Sequence, residues 1–271
     1  MATTFLSKTL GTPTDNNKWT FSCWFKRTGF ESQTLIYSND GSTSNVTEVA
    51  ISDAAKMVFQ NKVGGSTTMN LTTNRLFRDT SAFYHVVAVF DSSNATEADR
   101  QIIYINGVRE TSFATNNPAS LNEVSTINSG NVAKIGKGNT SEYFNGLMTH
   151  VHFIDGTAYP ASTFGEVDST SGIWTAKTTP SVTYGNNGFF LKMENASAMG
   201  TDSSGNSNTF TVSGSLTKNQ DTPANNFCTM NPLDNYFAAG TFSNGNNTVI
   251  TSNGNYARNS STIGMATGKW Y

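Results

Sequence analysis

Residues 83–110 read FYHVVAVFDSSNATEADRQIIYINGVRE, and residues 134–166 read KIGKGNTSEYFNGLMTHVHFIDGTAYPASTFGE. The run from Phe83 to Phe164 decides the fold class. Phe83 to Phe90 is an apolar strand, and Ile102 to Ile105 is a second, closed by Asn106-Gly107. A two-residue Asn-Gly turn lets both central residues take positive φ, which matches the twist of paired strands. Asn145-Gly146 precedes a third strand, Leu147 to Ile154, and Asp155-Gly156 ends it. Strands punctuated by such turns predict a packed sheet sandwich.

The same pattern extends in both directions. Trp19 to Arg27 alternates, with Phe21, Cys23 and Phe25 on one face and Ser22 and Trp24 on the other, which predicts a strand covered on one side. Short strands are predicted at Thr34–Tyr37, Glu48–Ile51, Lys56–Gln60 and Thr68–Leu71, then at Val132–Ile135, Gly188–Met193 and Thr209–Val212. Pro160 to Phe164 reads as one helical turn, and Ser169 to Pro180 as irregular. Beyond Ser215 the periodicity decays. Asp221 to Asp234 holds two prolines and reads as a connector. The expected organisation is a sandwich over 1–215 and a connector with a C-terminal arm, or the start of a second β region, over 216–271.

Composition narrows the function. Charged residues are 13% of the 271 and the net charge is −2, so no basic footprint for nucleic acid exists. No apolar run reaches membrane-spanning length, and the N-terminus lacks the basic-then-apolar pattern of a secretory signal, so no membrane insertion is expected. Cys23 alternates with Phe21 and Phe25 and reads as a small buried hydrophobe rather than half of a disulfide with the distant Cys228.

The elements WTFSCWFKR, FYHVVAVFD, QIIYINGV and YFNGLMTHVHFIDG, in this order over residues 5 to 160, resemble laminin-G-like modules of the concanavalin A-like lectin/glucanase superfamily. Their continuation, FIDGTAYPASTFGE, GIW, YGNNGFFLKMEN, GTDSSGNSNTF and DTPANNFCTMNPLD, is similar to structural proteins of marine tailed phages. In those proteins a SPRY-type domain follows whose first strand reads like the terminal GKWY. The resemblance implies an all-β, two-sheet antiparallel jelly-roll sandwich. LKMENASAMGTDSSGNSNTFTVSG resembles the opening of such a domain yet follows its closing strand. Either the sandwich is circularly permuted, or Phe189 to Met193 adds a last strand beside the N-terminal one.

Glucanases of that superfamily resemble one another in a strand bearing two glutamates about an aspartate, and retaining chemistry needs two carboxyls about 5 Å apart. Glu97-Ala98-Asp99 and Glu166-Val167-Asp168 lack the second glutamate, so no catalytic residue is assigned. His150 and His152 share one strand face, where a polar sheet face outweighs a metal dyad without a third ligand. The resemblance implies a calcium ion at the sandwich rim. Asp91, Glu97 and Asp99 in one loop, or Asp202 in its Asp-Ser-Ser-Gly turn, are the candidates, with solvated acids and an Asx-turn as the alternative. It also implies glycan stacking, for which Tyr143, Phe144 and Tyr159 are the exposed candidates, while Trp19, Trp24 and Tyr104 read as core.

The expectation is a non-enzymatic virion protein, an accessory, decoration or fibre subunit assembled in the host cytoplasm. Its partners would be other virion proteins, copies of itself and host surface glycans. Phe227, Leu233, Tyr236 and Phe237 would dock the arm on a neighbour. A soluble receptor-recognition lectin is the alternative.

Overall fold

The structure, a computed structural model, describes residues 3–139, 141–237, 240–251 and 257–268. Lys269, Trp270 and Tyr271, which end the GKWY segment, lie outside the described residues, as do the side chains of Tyr236 and Phe237. In chain order the first strands are β1 (Phe5–Thr9), β2 (Lys18–Arg27), β3 (Gln33–Asn39), β4 (Val46–Ile51), β5 (Lys56–Val63) and β6 (Ser66–Leu76). Next come β7 (Tyr84–Asp91), β8 (Gln101–Ile105), β9 (Val108–Arg109), β10 (Phe113–Asn117), β11 (Val132–Ile135) and β12 (Gly146–Asp155). Short strands follow: β13 (Gly165–Val167), β14 (Trp174–Ala176), β15 (Phe189–Leu191) and β16 (Thr211–Ser213). Beyond them lie β17 (Met230–Phe237), β18 (Thr241–Ser243), β19 (Thr248–Ile250) and β20 (Ala257–Ser261).

Two antiparallel sheets form the sandwich, ordered β10-β6-β5-β4-β3-β11-β1-β16 and β15-β12-β2-β7-β8-β9. Their facing sides make one core in which Trp19 packs its ring 5.3 to 5.7 Å from those of Phe59, Phe90 and Phe153. The turn at Asn106-Gly107 has φ of 49° and 82°, as its sequence predicts. Gly107 is also needed for space, because a methyl group there would come 2.6 Å from Trp174. The helical turn is a single 3₁₀ turn, Ala161–Thr163.

Three expectations need correction. β2 is covered on both sides: from Trp19 to Arg27 every residue is buried. Residues 157–187 fold back over the outer face of the six-stranded sheet and bury Val87, Val89, Ile154 and Phe164 there with Tyr159, Trp174 and Tyr184. The stretch expected to be irregular, Ser169 to Pro180, therefore contains β14, which pairs with β13 just before it and carries Trp174 onto that face. Finally, β15 does not sit beside β1. It pairs with β12 at the edge of the six-stranded sheet, because Phe189 and Leu191 join the core there while Phe190 stacks on His152 at 3.9 Å. The outer neighbour of β1 is β16.

The first part of the arm also lies on the sandwich. Leu216 packs against the main core. Lys26, on the outward face of β2 and fully buried, donates from Nζ to Asp221 Oδ2 and Asn226 Oδ1, both at 2.7 Å, and to the Phe227 carbonyl at 3.4 Å. A buried ammonium stripped of its carboxylate is costly. Asp221→Ala is expected to lower stability by about 3 kcal/mol and to open 216–229 to protease, whereas Lys26→Met with Asp221→Leu should recover most of the loss. Thermal melts with limited proteolysis of the three proteins check this.

Candidate functional site

Because the outer face of the six-stranded sheet is covered by 157–187 and by the arm, the outer face of the eight-stranded sheet is where a ligand can lie. Leu6, Ile135, Ile36, Val49, Phe59 and Leu71 point into the core, and their neighbours point out. Strand register then aligns one outward residue per strand: Thr211, Ser7, Lys134, Tyr37, Glu48, Gln60, Asn70 and Asn117. With strands about 4.8 Å apart, this is a polar row crossing the whole sheet.

The middle of the row is ordered by its own contacts. Gln60 Nε2 donates to Glu48 Oε1 at 2.5 Å, and Lys134 Nζ lies 5.2 Å from the centroid of the Tyr37 ring. Burial, followed by the nearby Glu48, Glu142 and Asp40 carboxylates, pushes the Tyr37 hydroxyl up to about 12. Burial also raises Glu48, partly offset by Gln60. The Tyr37 hydroxyl and Thr34 Oγ1 are shielded and have no hydrogen-bond partner among the described residues. Such orphans are uncommon in a folded protein and mark places where water or ligand completes the bonding. At the rim, Lys137 Nζ sits 4.5 Å from the Phe5 ring and 5.0 Å from the Tyr143 ring.

Of the three aromatic candidates, only Tyr143 belongs to this face. Phe144 is buried, packed edge-on against Phe25 in the core, so the expectation of an exposed stacking ring there is corrected. Met148, in β12, packs against the same core. Tyr159 lies half-buried in the cover on the opposite side of the molecule, where its hydroxyl accepts from the Thr183 amide. Tyr37, Lys134, Lys137, Glu48 and Gln60 were not singled out from sequence. The signal was present as polar residues alternating with Ala133, Ile135, Met57 and Phe59, but solvent-facing alternation does not separate a binding face from a merely wet one.

The acidic candidates do not assemble. Asp91 accepts from Ser93 Oγ at 2.6 Å and pairs with Lys18 at 3.4 Å, while Asp99 is held by Arg109 at 2.7 Å. Glu97 opens a 3₁₀ turn over Glu97–Asp99 in which no residue is buried. Asp202 spends both oxygens on its own turn and on β15, accepting from the amides of Phe190, Ser204 and Asn208. Among the described residues no three carboxylate, imidazole or thiol side chains converge as a metal site. Asp91, Asp99 and Asp202 thus already have protein partners, and the candidates are not gathered into the oxygen cage a calcium ion takes. Glu166 and Asp168 are on the exposed β13–β14 hairpin and its turn, where Asp168 caps Ser171.

The histidines are structural. A bulge opposite Cys23 breaks the alternation between Thr149 and His152 and leaves His150 at φ 48°, so the shared strand face expected for His150 and His152 is not a regular one. His85 accepts at Nδ1 from Trp174 Nε1 at 2.9 Å, so its proton is on Nε2 and is donated to Ser22 Oγ at 2.8 Å. His152 Nδ1 lies 3.0 Å from the Tyr184 hydroxyl.

A second concavity of about 850 Å³ lies between the sandwich edge and the arm, with Phe83, Phe144, Met148, Met193, Leu216 and Phe227 among its walls. Phe227 and Leu233 are 43% and 58% exposed. Cys23 is a buried free thiol and Cys228 an exposed one.

The family model described as the Concanavalin A-like lectin/glucanases superfamily matches residues 5–162. No curated protein matches the chain. Among solved structures, the chain is similar to a heptameric SAP-like pentraxin from Limulus polyphemus, with 14% identity over 65% of this chain and 86% of that one and a TM-score of 0.45. It is also similar to a Bacteroides ovatus protein predicted to bind carbohydrate, with 15% identity over 82% of this chain and 59% of that one and a TM-score of 0.48. A third is the CBM40 of a Ruminococcus gnavus sialidase bound to sialyllactose, with 13% identity, 48% and 71% coverage and a TM-score of 0.36. Likenesses this distant say nothing about ligand.

Proposed function

Since this chain belongs to the Concanavalin A-like lectin/glucanases superfamily, we propose that it is a non-enzymatic, lectin-like attachment subunit that binds surface glycans across the open face of its eight-stranded sheet. The observation that carries this reading is the polar row in which half-buried Lys134, Glu48, Gln60 and Asn70 flank the buried Tyr37, on a face left open while the opposite face is closed. Amides, carboxylates and hydroxyls set one per strand can exchange hydrogen bonds with successive sugar hydroxyls, and Tyr143 offers a ring at the rim. Against catalysis stand the dispersed acids: Glu97 and Asp99 turn outward in one loop, and Glu166 and Asp168 sit on a separate hairpin.

The site of action we propose is a bacteriophage virion, on the sequence resemblance described above, with the subunit joined to other virion proteins and to copies of itself. The arm beyond residue 229 would make that attachment. A two-stranded unit such as β17–β20 is marginal alone, and Leu233, Ile250 and Met265 are exposed on this part of the chain.

Gln60→Ala with Asn70→Ala should weaken retention on polysaccharide from susceptible cells about thirtyfold, at roughly 1 kcal/mol for each of the two lost hydrogen bonds, with a melting temperature only about 3 °C lower for the lost Glu48 contact. Affinity electrophoresis measures this. Equal retention of the variant would remove the face from consideration, and release of reducing ends by the unaltered protein would overturn the non-enzymatic reading. For the arm, a chain ending at residue 229 should fold yet fail to co-purify with particles. Full incorporation of that shortened chain would sink the attachment role.

A further inference from the structure

We infer that the open face selects acidic glycans, taking an anionic sugar substituent between Lys134 and Lys137 while uncharged residues of the same chain run toward Gln60 and Asn70. This rests on the glycan-binding reading and adds the class of ligand and its direction.

Lys134 and Lys137 leave the same strand end, and each ammonium lies over aromatic rings rather than beside an acid: Tyr37 for Lys134, Phe5 and Tyr143 for Lys137. Among the described residues neither takes part in an ion pair. They are close enough that, after burial, Lys137 is the next cause holding Lys134 below the usual range of an ammonium. Two like charges held near one another without a counter-ion are relieved by an anion. Aromatic rings beneath them keep the ammoniums in place and supply flat apolar surface for a sugar ring.

A second observation points the same way. Tyr37 and Thr34, each 1% exposed, occupy outward positions of β3 with hydroxyls that have no partner among the described residues. Both can donate. Lys134 lies over the Tyr37 ring, so a ligand that draws this ammonium outward also uncovers the ring for contact. The acids of the face are committed elsewhere: Glu48 to Gln60, and Glu142 Oε2 to the Asn139 amide at 3.1 Å. Glu48 repels an anion from its part of the row and Glu142 stands in the turn beside Lys137, so the anionic group is placed between the two ammoniums, and the row beyond Glu48, which is amide only through Gln60, Asn70 and Asn117, meets uncharged sugar.

The test uses the full chain on an array that pairs uronate-containing, sialylated and sulfated oligosaccharides with neutral ones, followed by calorimetry on the best acidic glycan and its carboxyl-reduced or desulfated form. The acidic form is expected to bind about tenfold tighter in dilute buffer, and the preference should fade as ionic strength approaches about 1 M, where screening acts within about 3 Å. Lys134→Gln and Lys137→Gln should each cost about fivefold on the acidic form and leave the uncharged form unaffected, with Lys→Arg retaining the preference. Equal binding of acidic and neutral forms, or lysine variants that leave their ratio unchanged, would overturn the inference and leave the glycan reading intact. Binding to no member of the array would overturn that reading, and this inference with it.

Discussion

Asp155→Ala is expected to be the most damaging single substitution outside the hydrophobic core, lowering stability by about 4 kcal/mol. Asp155 ends β12 and is 2% exposed. Its Oδ2 accepts from the amides of Thr14 at 2.8 Å and Asn187 at 2.9 Å. Its Oδ1 accepts from Asn128 Nδ2 at 2.7 Å and from the Asp15 amide at 3.2 Å. One carboxylate thus gathers three separate loops at one end of the sandwich. Removing it strands three backbone donors and a side-chain amide, each of which loses a partner without regaining water. In a chain of this size the loss corresponds to a melting temperature about 10 °C lower. Asp155→Asn keeps one acceptor and should fall about midway, and a melt within 2 °C of the unaltered protein would show that the loops do not depend on it.

Acid should unfold the protein through its histidines. His85 is fully buried, and burial, with a smaller contribution from His150, pushes its pKa down to about 3. His152 is likewise held well below 6.5, chiefly by burial and then by His150 and His85, and burial lowers His150 as well. Both His85 and His152 are neutral in the folded state and take up a proton in the unfolded chain below about pH 6.5. Folded pKa values below unfolded ones mean that stability is complete above about 6.5 and is lost as pH falls toward 3. The slope is about 1.4 kcal/mol per pH unit for each histidine that is protonated only on unfolding, so the two together cost about 3 kcal/mol per unit just below about pH 6. Urea melts at pH 7, 6, 5 and 4 measure it. His152→Phe, which keeps a ring against Phe190, should flatten the dependence by about half. An unchanged slope in that variant would show that other groups carry the acid response.

How far these features could be read in advance depends on the range of the interaction. The Asn106-Gly107 hairpin, the alternation that sends Phe21 and Cys23 to the core, and the apolar strand of Val86 to Phe90 are short-range facts, set by turn geometry and a two-residue period. Lys26 shows the opposite case. In sequence it is a polar residue at the end of an amphipathic strand. In the fold it is fully buried, because Asp221 and Asn226, nearly two hundred residues away, come to meet it. The bulge at His150 is similar. Strict alternation predicts a regular face, and one extra residue opposite Cys23 reverses the phase of the strand between Thr149 and His152.

The candidate site followed the same division. Tyr143 was recognisable as an aromatic beside glycines, but Phe144, next to it, is indistinguishable by composition and is part of the core. Asp91 and Asp99 are close in sequence yet oriented by Lys18 and Arg109 into different surroundings.

What the sequence by itself determined is therefore the class of fold, the positions of most strands in the central run and the absence of a paired-carboxylate motif. Those follow from local periodicity and turn chemistry. Only the tertiary structure decided which sheet face remains open. Whether β2 is covered on one side or two depends on where residues 157–187 and 216–229 come to rest, and that is fixed by pairings such as Trp174 with His85 and Asp221 with Lys26. The row through Tyr37, Gln60 and Asn70 exists as a surface because register aligned eight strands that the chain visits out of order.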